Sequence, residues 1–272
     1  MGRGDHAQLK EKAIMSSAER LIGALALFTS KRPAWTPEKA AQALGVSRAS
    51  AYRYFLLLYE AGYIEADSGS GYTLGPRIVE LDRQIRLSDP LVQTAVDEMV
   101  NLARKTGGVS LLCRLYRDRV LCVHQERGSR APGLVSYERG RAMPLYRGAT
   151  SKAILAFLPP RALNALVERD RSEVARAGLP ADGAAVHEAL APVRERRLCI
   201  SHGEVDPGAW GAAVPIIDNS GVIGSLSVVL PASVAKGGLA QSTCRLLVRA
   251  GQNIEAELEQ AKSNTSKRRN TK

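Results

Sequence analysis

The chain has 272 residues, a net charge of +11 at pH 7 and a hydrophobic fraction of 45%. This length suits two domains, and the apolar content is enough for a sizeable core. No stretch approaches the ~20 apolar residues that span a bilayer, and the N-terminal segment lacks the apolar core of a signal peptide. We therefore expect a cytoplasmic protein with no membrane partner.

The spacing of the cysteines and the distribution of charge along the chain each limit what the protein can be. The four Cys are widely spaced without a CxxC pair, which is typical of buried, reduced thiols. Residues 1–90 hold 12 Lys and Arg against 10 Asp and Glu, and residues 91–260 hold 21 against 17. Residues 261–272 hold five cations and no acid. This last segment is predicted to be a disordered basic tail that contacts phosphates nonspecifically or aids solubility, and residues 1–15 a flexible N-terminus.

Residues 16–76 carry the pattern of a helix-turn-helix. Thr36 can accept hydrogen bonds from free N–H groups at a helix start, and Pro37 gives up an N–H that has no helical partner. Gly45 ends this helix, because glycine adopts positive φ at little cost. Ser47 then opens a second helix of the motif. A preceding amphipathic helix is expected to pack on this pair.

A short β-hairpin is predicted directly after these helices, with strands at 63–65 and 72–74 around a Gly- and Ser-rich turn. Helix, turn, helix and hairpin in this order are typical of a winged helix-turn-helix, whose recognition helix enters the major groove of DNA with its N-terminal half. The alternative is a packing unit or a protein-binding module. The predicted DNA-contacting residues are Ser47, Arg48, Ser50, Tyr52, Arg53, Tyr54, Ser68 and Ser70.

The rest of the chain predicts a linker helix over 77–90 and an α+β domain over 91–260, in which an antiparallel sheet carries helices on one or both sides. Alternating apolar residues mark the strands and 3.6-residue spacing marks the helices. The predicted strands lie at 109–116, 120–125, 133–137, 199–202, 210–218 and 222–230. The predicted helices lie at 15–29, 91–106, 151–158, 160–169, 182–197 and about 238–260.

Four segments of the chain occur in a characteristic order: LGVSRASAYRYFLLLYEAGYIE with the trailing YTLGPRIVEL, then MPLYRGATSKAILAFLP, VRERRLCISHGEVDPGAWGAAVPIID and GVIGSLSVVLPAS. In their order and spacing the chain resembles the IclR-type bacterial transcriptional regulators over roughly residues 16–260. The resemblance implies a winged helix that binds a palindromic operator on double-stranded DNA, and a GAF- or profilin-like C-terminal domain that binds a small effector. It also implies a homodimer formed through the N-terminal domains, or a homotetramer.

The resemblance further implies an effector pocket built from a helix start, a loop and the last strand. It assigns to this pocket Val135, Ala149, Thr150, Ser151, Ser201, Glu204, Asp206, Ala209, Gly211, Ser225 and Ser227. The chain departs from the family's pattern at three places. Ser151 stands where Gly is usual, Gly211 where Cys or Ser is frequent, and Val229 where a second Ser is common. These departures bear on which effector binds.

The chemistry of the pocket segments favours an anion. A helix start at 148–152 offers free backbone N–H groups, and Thr150 and Ser151 add hydroxyl donors. Residues 110–152 carry nine Lys and Arg against three acidic residues. We therefore hypothesise that the effector is a small carboxylate, such as an aromatic or hydroxylated acid. The alternative is that these arginines are simply solvated surface residues.

An enzyme is the main competing class. The candidate nucleophiles are Cys113, Cys122, Cys199 and Cys244, and the candidate bases are His124 and His202. Cys122, His124, Cys199 and His202 could also supply four zinc ligands. No P-loop, nucleophile elbow or GxGxxG fingerprint is present. The simpler interpretation is two core thiols with polar neighbours. The carboxylates in 204–206 fit a turn beside the pocket better than an acid–base pair. We therefore predict no catalytic residue, no metal and no cofactor.

Overall fold

The computed structural model describes residues 16–69, 71–133 and 135–269. The chain divides after Ser88 into two compact units, so the predicted linker helix belongs to the first unit. Ser70, the predicted flexible N-terminus and residues 270–272 lie outside the described residues. Within the described ranges no helix is long and apolar enough to cross a bilayer.

The first unit is a winged helix-turn-helix, as the sequence predicts. Its elements in chain order are α1 (Ser17–Ala26), α2 (Pro37–Leu44), α3 (Arg48–Glu60), β1 (Ile64–Ala66), β2 (Tyr72–Leu74) and α4 (Pro76–Ser88). The two strands pair antiparallel and form the wing. The core of this unit contains Ala24, Phe28, Trp35, Ala40, Phe55, Leu58 and Ile64.

Side chains at the helix ends explain where the helices of this unit begin and stop. Ser16 accepts from the backbone N–H of Glu19, whose carboxylate accepts in return from the Ser16 N–H. Thr36 and Ser47 cap α2 and α3 through their hydroxyl oxygens. Gly45 ends α2 with φ of 63°, a left-handed conformation that suits glycine. Local residues therefore determine the tight turn between α2 and α3.

The second unit is an α+β domain with one antiparallel sheet, which confirms the predicted fold class. The sheet order is β5-β4-β3-β8-β7-β6. Its strands are β3 (Val109–Tyr116), β4 (Arg119–Arg127), β5 (Ala142–Pro144), β6 (Cys199–His202), β7 (Ala209–Asp218) and β8 (Gly221–Pro231). Its helices are α5 (Pro90–Thr106), α6 (Gly148–Leu155), α7 (Pro160–Arg169), α8 (Arg171–Arg176), α9 (Gly183–Ala189), α10 (Ala191–Arg196) and α11 (Gly237–Arg269).

Helices cover both faces of the sheet. Helices α5 and α11 pack on one face, where Leu226 and Val228 of β8 enter an apolar core. Helix α6 packs across the other face, against β6, β7 and β8. Because side chains alternate along a strand, Ser225 and Ser227 lie on the α6 face. This arrangement places polar residues of the central strand beneath the start of α6.

Two predicted elements of the second unit are wrong. Residues 133–137 are not a strand in their described part, and the edge strand beside β4 is β5 instead. The Ser136 N–H is bonded to a carboxylate oxygen of Asp206 rather than to a neighbouring strand. The single helix predicted over 182–197 is two helices, because Pro192 lacks an N–H donor and is accommodated only in the first turn of α10. Helix α8 was not predicted.

The prediction of a disordered tail is also wrong for residues 261–269. Helix α11 continues to Arg269. No Gly or Pro interrupts residues 252–269, so nothing in the backbone chemistry ends the helix earlier.

Candidate DNA-binding surface and effector pocket

The N-terminal half of α3 presents two arginines to solvent. Arg48 and Arg53 are both exposed, and the Arg53 guanidinium carbon lies 5.8 Å from the centre of the Tyr54 ring. Ser68 is exposed in the wing, where its hydroxyl donates to Asp67. Two long cations and a polar wing can reach phosphates and base edges without rearrangement of the core.

The other predicted polar residues of α3 already have local partners. Ser47 caps the helix, and its hydroxyl donates to the Ser50 hydroxyl at 3.0 Å. The Tyr52 hydroxyl donates to the carboxylate of Glu38 on α2. Tyr52 is nevertheless 53% exposed, so its ring remains available to a partner. These contacts fix the geometry of the helix-turn-helix at the exposed end of α3.

Tyr54 does not belong to the DNA-facing set, and its assignment from the sequence is corrected. Its side chain is only 4% exposed, and its hydroxyl lies 3.2 Å from the Ser17 hydroxyl on α1. The reason is helical spacing: Tyr54 shares a buried face with Ala51, Phe55 and Leu58. It therefore holds α1 against α3.

A small cavity lies in the second unit between the start of α6, the loop joining β6 to β7, and β8. The space open to a water-sized molecule is about 30 Å³, enough for about one water. The structure brings most of the predicted effector residues to its wall: Ala149, Thr150, Ser201, Glu204, Asp206, Ala209 and Gly211. Val205, in the predicted pocket loop, also lines it. Tyr137 lines it too and was not predicted, because it lies outside the helix start, the loop and the strand that the resemblance assigns to the pocket.

The remaining predicted effector residues form a layer beneath this wall. The Thr150 hydroxyl donates to the Ser227 hydroxyl at 3.0 Å, and the hydroxyls of Tyr137 and Ser151 lie 2.6 Å apart. Ser225 is fully buried, and its hydroxyl has no hydrogen-bond partner among the described residues. Val135 is buried in the apolar core on the same face of the sheet. The cavity wall is therefore supported by four predicted residues that do not line it: Val135, Ser151, Ser225 and Ser227.

The start of α6 already holds an anion, and that anion belongs to the protein. A carboxylate oxygen of Glu204 accepts from the Gly148 N–H at 3.0 Å and lies 2.7 Å from Lys152 Nζ. The next backbone N–H, of Ala149, donates to the Ser201 hydroxyl at 3.0 Å. Arg147 donates to the Glu204 carbonyl. A backbone N–H group at the helix start and a nearby ammonium thus form a binding position for a carboxylate.

Burial keeps one hydroxyl and two thiols of the second unit neutral. Burial raises the pKa of the Tyr137 hydroxyl above its usual range. It raises the pKa of the Cys199 thiol to about 11 and that of Cys113 well above its ordinary value. Because the thiolate is the reactive form of cysteine, these thiols are poor nucleophiles near neutral pH.

The proposed zinc ligands do not converge. In the described part of the chain no three His, Cys, Asp or Glu side chains are grouped closely enough to hold a metal ion. His124 Nε2 lies 2.8 Å from the Glu126 carboxylate on the same strand. Cys122 and Cys199 are buried in separate apolar clusters, and His202 is exposed. The interpretation as core thiols with polar neighbours fits this placement.

The fold and these two surfaces define a class, a winged-helix DNA-binding protein with a separate sheet domain that contains a small polar cavity. Residues 17–68 match the IclR helix-turn-helix domain. Residues 87–256 match the C-terminal domain of the bacterial transcriptional regulator IclR. The chain therefore belongs to the IclR family of transcriptional regulators, which is not a family of enzymes.

Known proteins resemble the chain over most of its length. The HTH-type transcriptional regulator XynR of Escherichia coli (strain K12) is 28% identical over 79% of this chain and 86% of that protein. An IclR transcriptional regulator from Alicyclobacillus acidocaldarius has a TM-score of 0.72 at 23% identity, covering 88% of this chain and 97% of its own. An IclR homologue from Microbacterium hydrocarbonoxydans, complexed with 4-hydroxybenzoate, has a TM-score of 0.74 at 22% identity, covering 90% and 99%. These two solved structures have the same fold as this chain.

Proposed function

We propose that this regulator binds a specific operator through α3 and the wing, and that a small carboxylate bound in the second unit controls that binding. The observation that carries the effector part is the carboxylate of Glu204 at the start of α6, bonded to Gly148 and close to Lys152. A position that accepts the protein's own carboxylate has the donors that an organic acid needs.

The charge distribution indicates that DNA recognition depends on a few individual side chains and not on a high net charge. Residues 1–90 are close to neutral, with 12 cations against 10 acids. Bulk attraction to phosphate therefore contributes little in this part of the chain. Arg48 and Arg53 are exposed at the end of α3 that enters the major groove in proteins of this type. They are our first candidates for contacts to base edges and phosphates, with Ser47, Ser50, Tyr52 and Ser68 beside them.

The choice of acid is guided by a structural neighbour. The Microbacterium hydrocarbonoxydans homologue is complexed with 4-hydroxybenzoate, so an aromatic acid is the first probe for this chain. The cavity, with space for about one water, must enlarge to admit such a ligand. The Tyr137, Thr150 and Ser201 hydroxyls line its wall, and each is already hydrogen-bonded within the protein. Binding of a polar substituent here would add to or exchange these hydrogen bonds.

A homodimer is the assembly that the first unit supports. Helix α4 has no buried residue, and its stripe of Ile78, Leu81 and Ile85 leaves Leu81 36% and Ile85 60% exposed. An apolar stripe on a helix gains stability when another surface covers it. Two copies joined in this way would read the two halves of a palindromic operator. A homotetramer would join two such dimers. Because the proposed target is an operator on DNA, the location that we propose is the cytoplasm.

Calorimetric titration tests the effector part. Benzoate and 4-hydroxybenzoate are titrated into the wild-type protein, with benzamide and 4-hydroxybenzamide as neutral controls of the same shape. We expect the acids to bind at least tenfold more tightly than the amides, because only the acids carry the charge that Lys152 and the Gly148 N–H complement. Binding of the amides alone would contradict the proposal.

A further inference from the structure

The loop between β6 and β7 closes the cavity over the start of α6. We call residues 203–208 the latch loop. Gly203 has φ of 64° and Gly208 has φ of 77°, so both ends of the loop adopt a left-handed conformation that other residues rarely take. Between these two glycines, three consecutive side chains contact the rest of the domain.

Glu204 makes the charged contact of the latch loop. Its carboxylate lies 2.7 Å from Lys152 Nζ and accepts the Gly148 N–H at 3.0 Å. The Lys152 side chain is only 16% exposed, so this ion pair is shielded from solvent on the lysine side. The carboxylate of Glu204 thus occupies the donors that a ligand carboxylate would use.

Asp206 and Val205 complete the closure. Asp206 accepts from the Ser136 N–H at 2.8 Å and from the Ser136 hydroxyl, which ties the loop to the segment after β4. The Val205 side chain lies 2.8 Å from the position that a Cβ on Gly148 would take. It is half-buried against the apolar core, above a cavity with space for about one water.

We propose that Glu204 is an internal competitor of the effector, and that its displacement by the effector's carboxylate opens the latch loop about Gly203 and Gly208. This inference rests on the proposed carboxylate effector. The two carboxylates require the same N–H and ammonium donors, so they exclude each other. A neutral ligand that displaced Glu204 would leave Lys152 without its counter-ion in a partly buried site. A neutral ligand therefore leaves Glu204 in place, and the cost of displacing Glu204 sets the threshold for binding of acids.

The test compares Glu204→Ala with the wild-type protein and with Glu188→Gln, which removes one negative charge from the exposed face of α9. Benzoate and 4-hydroxybenzoate are titrated against benzamide and 4-hydroxybenzamide. Glu204→Ala should tighten binding of the acids about tenfold, which corresponds to about 1.4 kcal/mol. The amides should gain less, and Glu188→Gln should leave all four affinities unchanged.

Hydrogen exchange without ligand provides a second readout. In Glu204→Ala the amides of the latch loop and of Gly148 should exchange faster than in the wild-type protein, because the contacts that hold them are lost. Glu188→Gln should match the wild type. Unchanged exchange in Glu204→Ala would show that Glu204 does not hold the loop and would overturn the inference.

The remaining outcomes separate the inference from the proposed function. If the acids bind the wild type but bind Glu204→Ala equally or more weakly, Glu204 is not a competitor, and the carboxylate effector still stands. Equal tightening of acids and amides would assign Glu204 to loop closure alone and would also overturn the competition. If no acid binds either protein while both remain folded by circular dichroism, the carboxylate effector fails together with the inference.

Discussion

Arg53 and Tyr54 are neighbours in α3 with opposite environments. Arg53 is exposed, whereas Tyr54 is 4% exposed and lies against Ser17 on α1. Both side chains carry hydrogen-bonding groups and lie in the N-terminal half of the recognition helix. Only their position around the helix axis decides which one is exposed. The apolar spacing of Ala51, Phe55 and Leu58 defines the helical phase and places Tyr54 on the buried side of the helix.

Arg48→Ala and Arg53→Ala should each weaken operator binding by about 1–3 kcal/mol if the arginine contacts a base edge. Neither substitution should change effector affinity, since the pocket is formed entirely by the second unit. Fluorescence anisotropy with a labelled operator and calorimetry with 4-hydroxybenzoate give the two affinities. Loss of the folded state in either variant would show that these side chains support the core.

Tyr54→Phe is the matched contrast to these arginine variants. It removes the hydroxyl near Ser17 and retains the ring in the core. The free energy of unfolding should fall by about 0.5–1.5 kcal/mol, the usual net value of one hydrogen bond. Operator affinity should stay within error of the wild type. A tenfold loss of operator binding with unchanged stability would restore Tyr54 to the DNA-contacting set.

Cys199 provides the residue-scale test against a thiol-based enzyme. Burial raises the pKa of its thiol to about 11, so the thiolate is scarce at neutral pH and increases as the pH rises toward that value. Labelling of Cys199 with a thiol reagent at pH 7.5 should therefore be slow in the folded protein and fast after unfolding in urea. Mass spectrometry of the labelled peptide gives both rates. Fast labelling of folded Cys199 at pH 7.5 would indicate an activated nucleophile.

Helix α4 lies on the first unit with its apolar stripe exposed. The combined substitution Leu81→Lys and Ile85→Lys should shift a dimer toward monomer by at least tenfold in dissociation constant, because charges would have to be buried at the joined surfaces. Arg83→Ala, at another position of the same helix, is the control and should leave the dimer intact. Sedimentation velocity measures both. An unchanged sedimentation profile in the double variant would assign dimerisation to another surface.

Local chemistry made most elements predictable. Ser, Thr, Gly and Pro mark the ends of α2, α3 and α5, and alternation marks the long strands. The failures occurred where distant contacts decide the backbone. Residues 133–137 are held by Asp206, which is 70 positions from Ser136. The contact of Glu204 with the start of α6 joins residues 56 positions apart, so no local pattern could indicate that the site is already occupied.

At the scale of the whole chain, the two units correspond to the two domains of the family, the helix-turn-helix domain and the C-terminal domain. The first unit contains the helix-turn-helix and the exposed arginines, and the second contains the cavity and the latch loop. A dimer of the first unit would place two copies of α3 on one face of DNA. Protection should then cover two half-sites about 34 Å, or a multiple of that distance, apart.

The central claim is sequence-specific DNA binding through α3, and selection from random duplexes followed by footprinting tests it most directly. Purified full-length protein is used beside Arg48→Ala and Arg53→Ala at fixed salt concentration. We predict that the wild type enriches one palindromic sequence and protects two half-sites spaced by whole helical turns, and that the arginine variants lose this protection. Recovery of no common sequence, or protection identical in the wild type and both variants, would contradict the account.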